Sequence, residues 1–292
     1  MIRFSLVLGT KDRTWDLDHF LASLDAQTYR NFELIVVDQN EDERLAPILA
    51  HYKGRFPILH LRSRPGLTRA KNMGLERATG DVIGFPDDNC KFPPDLLQKV
   101  AGFFESNPQA DGLTGRSADD KGRDSNGTFD REAGAIDKFN VWNRSTAYTI
   151  FLRRDATQGV RYDEQMGPGA GTLWGAGDDH DYLLKVLDRG ASLFYDPKVL
   201  IIHPEPLTHF DDAAAHRAFT YNCGAGRAIR RHGFPWWFKA WWFGRPAVGL
   251  ALHLARLRGS PPLGYRWSIV KGRLKGLLGE YAEDSAPRMD AG

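Results

Sequence analysis

The sequence predicts an α/β fold, a mostly parallel central sheet flanked by helices, followed by a helical extension of different chemistry. Three observations carry this. Short apolar runs alternate with segments of helical spacing over roughly the first hundred residues, the pattern of strands joined by crossover helices. Two of those runs, Phe32–Val37 and Val82–Phe85, are nearly unbroken, as expected of strands covered on both faces. From Ala213 to Gly279 the chain then carries 12 Lys and Arg and no Asp or Glu.

The elements follow in order. Ile2–Leu8 reads as a strand ending in Gly-Thr, and residues 14–26 as a helix with Leu17, Phe20, Leu21 and Leu24 on one face. Phe32–Val37 is the second strand, residues 41–53 a helix, Pro57–Leu61 the third strand and Gly66–Ala78 a helix. Val82–Phe85 is the fourth strand and Pro93–Phe104 a helix. Residues 117–145 change character, and 118–127 form a polar loop expected to move. Thr146–Leu152 is again strand-like. A glycine-rich loop, 167–177, leads into a helix over Asp178–Arg189, and Ser192–Tyr195 and Val199–Ile202 read as two short strands. The expected division is a catalytic domain over 1–210, itself split into 1–116 and 117–210, and a basic, Trp-rich extension over 211–292.

Composition sets the class. Of 292 residues, 42% are hydrophobic and 26% charged, typical of a globular protein with a sizeable core. Net charge is only +2, but outside the acid-free tail 27 basic residues face 37 acidic ones. A basic tail on an acidic body implies two surfaces with different partners. Two isolated cysteines, Cys90 and Cys223, argue against a disulfide framework or a structural zinc site and fit a reducing compartment. No leader pattern and no apolar stretch long enough to span a bilayer is seen. A cytoplasmic protein is expected, with attachment to the cytoplasmic face of an inner membrane as the variant that the tail suggests.

Polar residues at strand ends are where a sheet of this kind binds ligands. Gly9-Thr10-Lys11-Asp12, Asp38-Gln39-Asn40 and Asp87-Asp88-Asn89 should therefore meet in one cleft. Adjacent carboxylates after a buried strand call for a positive partner. Carboxylate oxygens, completed by diphosphate and water, suit Mg²⁺ or Mn²⁺; a helix cap before Pro93 is the other reading. Asp178-Asp179-His180-Asp181 complements a helix dipole, or presents a general base beneath a glycine-rich, Trp-containing loop. Gly66–Asn72 places cations at a helix start, which suits either a phosphate or a solvated face.

Taken in sequence order, these motifs resemble an inverting glycosyltransferase of family 2, of the bacterial envelope or exopolysaccharide type, with the GT-A fold. The likeness covers about residues 1–205. It rests on Val36-Val37-Asp38, on Leu67–Leu75, on Gly80–Asn89, on Trp174–Asp181 and on Tyr195-Asp196-Pro197 with His203. It implies sugar transfer from a nucleotide-sugar donor to a glycan or lipid-linked acceptor, with inversion and a divalent metal. It implies donor contacts from Thr10, Asp12, Arg13, Asp38, Arg69, Lys71 and Asp87, a Mg²⁺ or Mn²⁺ held by Asp88 and His203, and Asp179 as the base. Asp178, Asp181 and Trp174 support the acceptor side. The sequence departs from the pattern at Gln39, Asn89 and Asp178, where Asp, Asp and Glu are usual.

Rival functions fit less well. A sugar nucleotidyltransferase would carry a G-x-G-x-R signature after the first strand, and a dinucleotide oxidoreductase G-x-G-x-x-G; Gly9-Thr10-Lys11-Asp12-Arg13 has one glycine. A non-catalytic glycan-binding protein of the same fold would not need Asp38, Asp87, Asp88 and Asp179 together. In the tail, Trp236, Trp237, Trp241, Trp242 and Trp267 stand beside Lys and Arg, a composition suited to an anionic membrane surface. Internal packing or a homo-oligomer interface are the competing uses. No nucleic-acid-binding motif is visible.

Overall fold

The computed structural model describes residues 1–204, 209–254 and 261–279. These form two compact units. The first comprises Met1–Thr172 and the described residues from Asp178 to Pro204; the second comprises Leu173–Gly177 and the described residues from His209 onward.

The first unit is built on an eight-stranded sheet of order β3-β2-β1-β4-β7-β5-β8-β6. β1 (Phe4–Thr10), β2 (Phe32–Asp38), β3 (Ile58–Arg62) and β4 (Val82–Gly84) are parallel. They alternate with α1 (Trp15–Asp25), α2 (Ala46–Tyr52), α3 (Leu67–Leu75) and α4 (Leu96–Ser106). Every residue of β1 and β4 is buried, which is why those segments read as apolar runs. Phe4, Leu6, Leu8, Phe20, Leu34, Val36, Val82, Phe92 and Phe104 belong to one core cluster.

Pairing register positions the chemistry. Thr10 pairs with Asp38 across β1 and β2, and Asp38 with Arg62 across β2 and β3. Leu6 pairs with Gly84, the last residue of β4, so four residues further on Asp88 comes level with Thr10. Three separated polar segments thus reach one edge of the sheet, as expected from the strand ends.

The second half of the sheet differs from the sequence reading. β5 (Gly112–Ala118) is a buried central strand that the reading leaves out. Its sequence, GLTGRSA, lacks an apolar run. A Cβ at Gly115 would lie 2.0 Å from the Val199 carbonyl oxygen, so close interstrand approach, not hydrophobicity, dictates the residue. The two short strands expected at 192–202 are one, β8 (Leu193–Ile202), parallel to β5. Pro197 reads as a break, but a register shift between Thr114 and Arg116 absorbs the irregularity. β6 (Gly134–Ala135) borders β8. Thr146–Leu152 resolves into a 3-10 turn and β7 (Ile150–Arg153), antiparallel to β4 and β5. Short helices α5 (Val141–Arg144) and α6 (Arg154–Thr157) flank it, and α7 (Asp178–Asp188) precedes β8. The polar loop after β5 is tied down: Asp124 pairs with Arg116 at 2.6 Å and Arg131 at 3.0 Å.

In the second unit, Asp211 caps α8 (Asp212–Arg231) by accepting from the Ala214 N–H at 2.8 Å. α8 packs on α10 (Leu263–Leu278) almost backbone to backbone: a Cβ at Gly276 would lie 2.3 Å from the Cys223 carbonyl oxygen. α9 (Trp236–Leu254) is joined to both by Arg273, whose Nε donates to Asn222 Oδ1 at 3.0 Å while its guanidinium lies 3.9 Å from the Trp242 ring centre. Leu173–Gly177 packs on α8, with the Gly175 N–H donating to the Thr220 carbonyl at 3.2 Å.

Candidate active site

Two groups of carboxylates gather in the first unit. The first lies past β1 and β4. Asp88 is buried, accepting from the Thr10 hydroxyl at 2.7 Å through Oδ2 and from Arg13 at 2.7 Å through Oδ1. Burial, and then the adjacent Asp87 charge, raise its carboxyl pKa to about 6 despite Arg13. Asp87 is one-third exposed, and its Oδ2 is 4.0 Å from His203 Nε2. His203 Nδ1 is 2.7 Å from the Pro204 carbonyl, which can only accept, so Nδ1 carries the hydrogen. The ring stacks on Tyr148 at 4.5 Å. That arrangement turns the Nε2 lone pair toward a carboxylate, the orientation found in metal-binding histidines. Asn89 Oδ1 is also buried without a hydrogen-bond partner.

A divalent cation fits these donors. Burial and like charge disfavour ionisation of Asp88, and a nearby dication would reverse that. Among the described residues no three His, Cys, Asp or Glu side chains could hold a metal by themselves. The protein would therefore supply one or two ligands and leave the rest to phosphate and water, the usual arrangement for Mg²⁺.

Asp38, beside this group, is completely buried. Its Oδ1 accepts from the Asn40 N–H at 2.9 Å and Nδ2 at 2.7 Å; its Oδ2 lies 3.1 Å from both His60 Nε2 and Arg62. Asn40 Oδ1 in turn accepts the Asp12 N–H at 2.7 Å, holding Asp12 at a φ of 62°. Asp38 thus shapes the rim through Asn40 and Arg62. Asn40 belongs to a strand-end segment that the sequence places in the cleft; His60 and Arg62 are not expected from the sequence, although Arg62 ends its strand at the same level as Asp38. The Asp12 side chain is exposed and pairs with Arg44 at 3.1 Å.

The second group joins α3 to the start of α7. Lys71 is buried, with Nζ 2.5 Å from Asp179 Oδ1 and 3.3 Å from Asp178 Oδ2. It also lies 4.7 Å from the Tyr162 ring centre. Asn72 holds Tyr162 there by bonding its backbone N–H and carbonyl at 2.9 and 3.0 Å. Burial alone would lower the Lys71 pKa, but the two carboxylates outweigh it and the net shift is upward. Asp178 is raised to about 6 by burial and by Asp179. Of the pair, Asp179 is the more exposed. Asp181 is buried and paired with Lys185 at 2.6 Å, away from Lys71. His180 stacks on Trp142 at 4.5 Å, and burial lowers its pKa to about 4.

The structure redirects the expectation of a phosphate at the start of α3. The Gly66 N–H donates to Gln39 Oε1 at 2.7 Å, and the Leu67 N–H to the Pro168 carbonyl at 3.0 Å. Lys71 is committed to Asp178 and Asp179, while Arg69 pairs with Glu164 at 3.0 Å. Gln39, a departure from the usual acid, therefore caps α3. Trp174 lies in the second unit, buried, with the Arg227 guanidinium 5.0 Å from its ring centre.

The model of the glycosyl transferase family 2 domain matches residues 5–160, more than half of the chain. The protein belongs to glycosyl transferase family 2. An uncharacterized glycosyltransferase of Haemophilus influenzae is 31% identical over 106 residues, covering 36% of this chain and 35% of that protein. The putative teichuronic acid biosynthesis glycosyltransferase TuaG of Bacillus subtilis is 31% identical over 94 residues, 31% of this chain and 37% of TuaG. These matches span little more than a third of either relative's length.

Solved structures extend the likeness across the family 2 chain. A Pyrobaculum calidifontis mannosyltransferase, in complex with GDP-Man and Mn²⁺, superposes with a TM-score of 0.68 at 15% identity, covering 96% of this chain and 88% of that one. S. aureus TarS with UDP-GlcNAc gives 0.58 at 14% identity, covering 96% and 93%. At such identities the agreement concerns the fold, which is of the GT-A type.

Proposed function

We propose that this protein transfers a sugar from a nucleoside-diphosphate sugar to a hydroxyl of a glycan or lipid-linked acceptor, with inversion and with a divalent metal. One observation carries the reading: a family 2 chain holds two separate acidic pairs. One lies beside Thr10, Arg13 and His203; the other is held by buried Lys71.

Asp88 and His203 would hold Mg²⁺ or Mn²⁺, whose charge would stabilise the departing diphosphate, and Asp87, beside both, would meet the donor. Thr10 and Arg13 orient Asp88. Asp179, the more exposed member of its pair, accepts the proton of the acceptor hydroxyl as that oxygen attacks the anomeric carbon opposite the leaving group. Lys71 and Asp178 keep Asp179 in place. No covalent intermediate is required. The relative named for teichuronic acid synthesis and the neighbours with GDP-Man and UDP-GlcNAc support the substrate class.

A screen of UDP-, GDP- and dTDP-sugars, read as nucleoside diphosphate release with Mg²⁺ or Mn²⁺, tests the proposal. One donor should be turned over in the presence of metal, and Asp88→Ala should abolish that turnover. Turnover undiminished by Asp88→Ala would remove Asp88 from the metal site.

A further inference from the structure

Eleven of the fifteen exposed large apolar side chains among the described residues lie in the second unit. α9 is apolar in composition yet has only two buried residues, Phe238 and Trp242. A helix apolar on all sides is normally buried, so most of α9 lacks cover among the described residues.

The exposed residues are ordered. On α9, Trp237, Trp241 and Val248 share one face, with Arg245 beside them and its guanidinium 5.2 Å from the Trp241 ring centre. α10 repeats the spacing with Leu263, Trp267 and Leu274, continued by Leu278; Lys271 takes the position of Arg245, its Nζ 5.9 Å from the Trp267 ring centre. On both helices the apolar residues follow the first of the set by four and eleven positions, with a cation at eight.

We propose that these faces of α9 and α10 rest on an anionic lipid surface without crossing it. Tryptophans flanked by Arg and Lys match the apolar-to-charged gradient of a membrane interface. Charge complementarity selects an anionic occupant, since no carboxylate occurs from Ala213 to Gly279. A symmetric second copy fits poorly, because an isologous contact would oppose Arg245 and Lys271 to their own kind. Spanning is disfavoured: no described helix is long and apolar enough to cross a membrane, and Pro246 interrupts the α9 hydrogen-bond ladder.

Co-sedimentation of the full chain with vesicles of phosphatidylcholine, with and without phosphatidylglycerol, tests this independently of any transferase activity. Binding should require phosphatidylglycerol, fall with added salt, and shift tryptophan emission to the blue. Arg245→Gln and Lys271→Gln should each weaken binding roughly fivefold. The pair Trp237→Ala and Trp241→Ala should weaken it further, with the helical circular-dichroism signal retained, because each ring is half exposed. Equal binding to neutral vesicles, or no vesicle binding at all, overturns the proposal. So does a dimer in light scattering that the Trp pair dissociates while vesicles are ignored, which would make a second copy the occupant.

Discussion

Asp87-Asp88 and Asp178-Asp179 are both adjacent acids facing one cation, but the cations differ. Arg13, beside Asp88, is 44% exposed, whereas Lys71, between Asp178 and Asp179, is 4% exposed. An exposed guanidinium can swing aside when a stronger cation arrives. A buried ammonium cannot leave without stranding two carboxylates, so it is a permanent part of the site. The first group can exchange its positive charge, and the second holds its cation in place. Under the proposed function, that difference would separate a metal and diphosphate site from a general-base site, although both read as Asp-Asp.

The largest test of this contrast is Asp179→Asn. It keeps the shape and loses the proton acceptor, so kcat should fall about 10²–10⁴-fold, with donor affinity unchanged by calorimetry. Loss of donor binding instead would assign Asp179 to the nucleotide and collapse the distinction. Lys71→Met should destabilise the fold by about 3–5 kcal/mol in denaturant titrations, since it leaves buried charges unpaired. Adding Asp178→Asn should recover part of that loss; a Lys71→Met variant of normal stability would mean that the cation is dispensable.

Asp178→Asn alone sharpens the comparison through pH. Because the folded-state pKa of Asp178, about 6, exceeds its ordinary value of 3.8, the native state favours the protonated acid. Its stabilising contribution is full below pH 3.8 and is lost as pH rises through about 6. The neutral variant should therefore be more stable than the parent at pH 8, by about 1–3 kcal/mol. The gap should close as pH falls toward 4, and a gap that is constant with pH would contradict the assignment. The smallest effect is expected for Arg13→Gln. Its pair is partly exposed, so stability should change by less than about 1 kcal/mol. If Arg13 yields to the metal, half-saturation by Mn²⁺ should shift to lower concentration; a shift to higher concentration would make Arg13 a required part of the metal-bound state.

The amino-acid sequence by itself determined the parallel half of the sheet, because β1, β2 and β4 are buried on both faces and must be apolar. Local order also set the convergence of Thr10, Asp38 and Asp88, since parallel strands place successive carboxyl ends on one edge. Tertiary structure alone decided the rest. β5 became a central strand because its glycines admit neighbouring backbone, a requirement that no apolar pattern records. Lys71 reads as a surface cation on α3, and only the approach of α7 makes it the buried partner of Asp178 and Asp179. His60 and Arg62 gather on Asp38 through cross-strand register. Burial and charge pairing are properties of neighbours distant in sequence, so one chain pattern fits a solvated helix face, a phosphate site or a buried ion pair until those neighbours are in place.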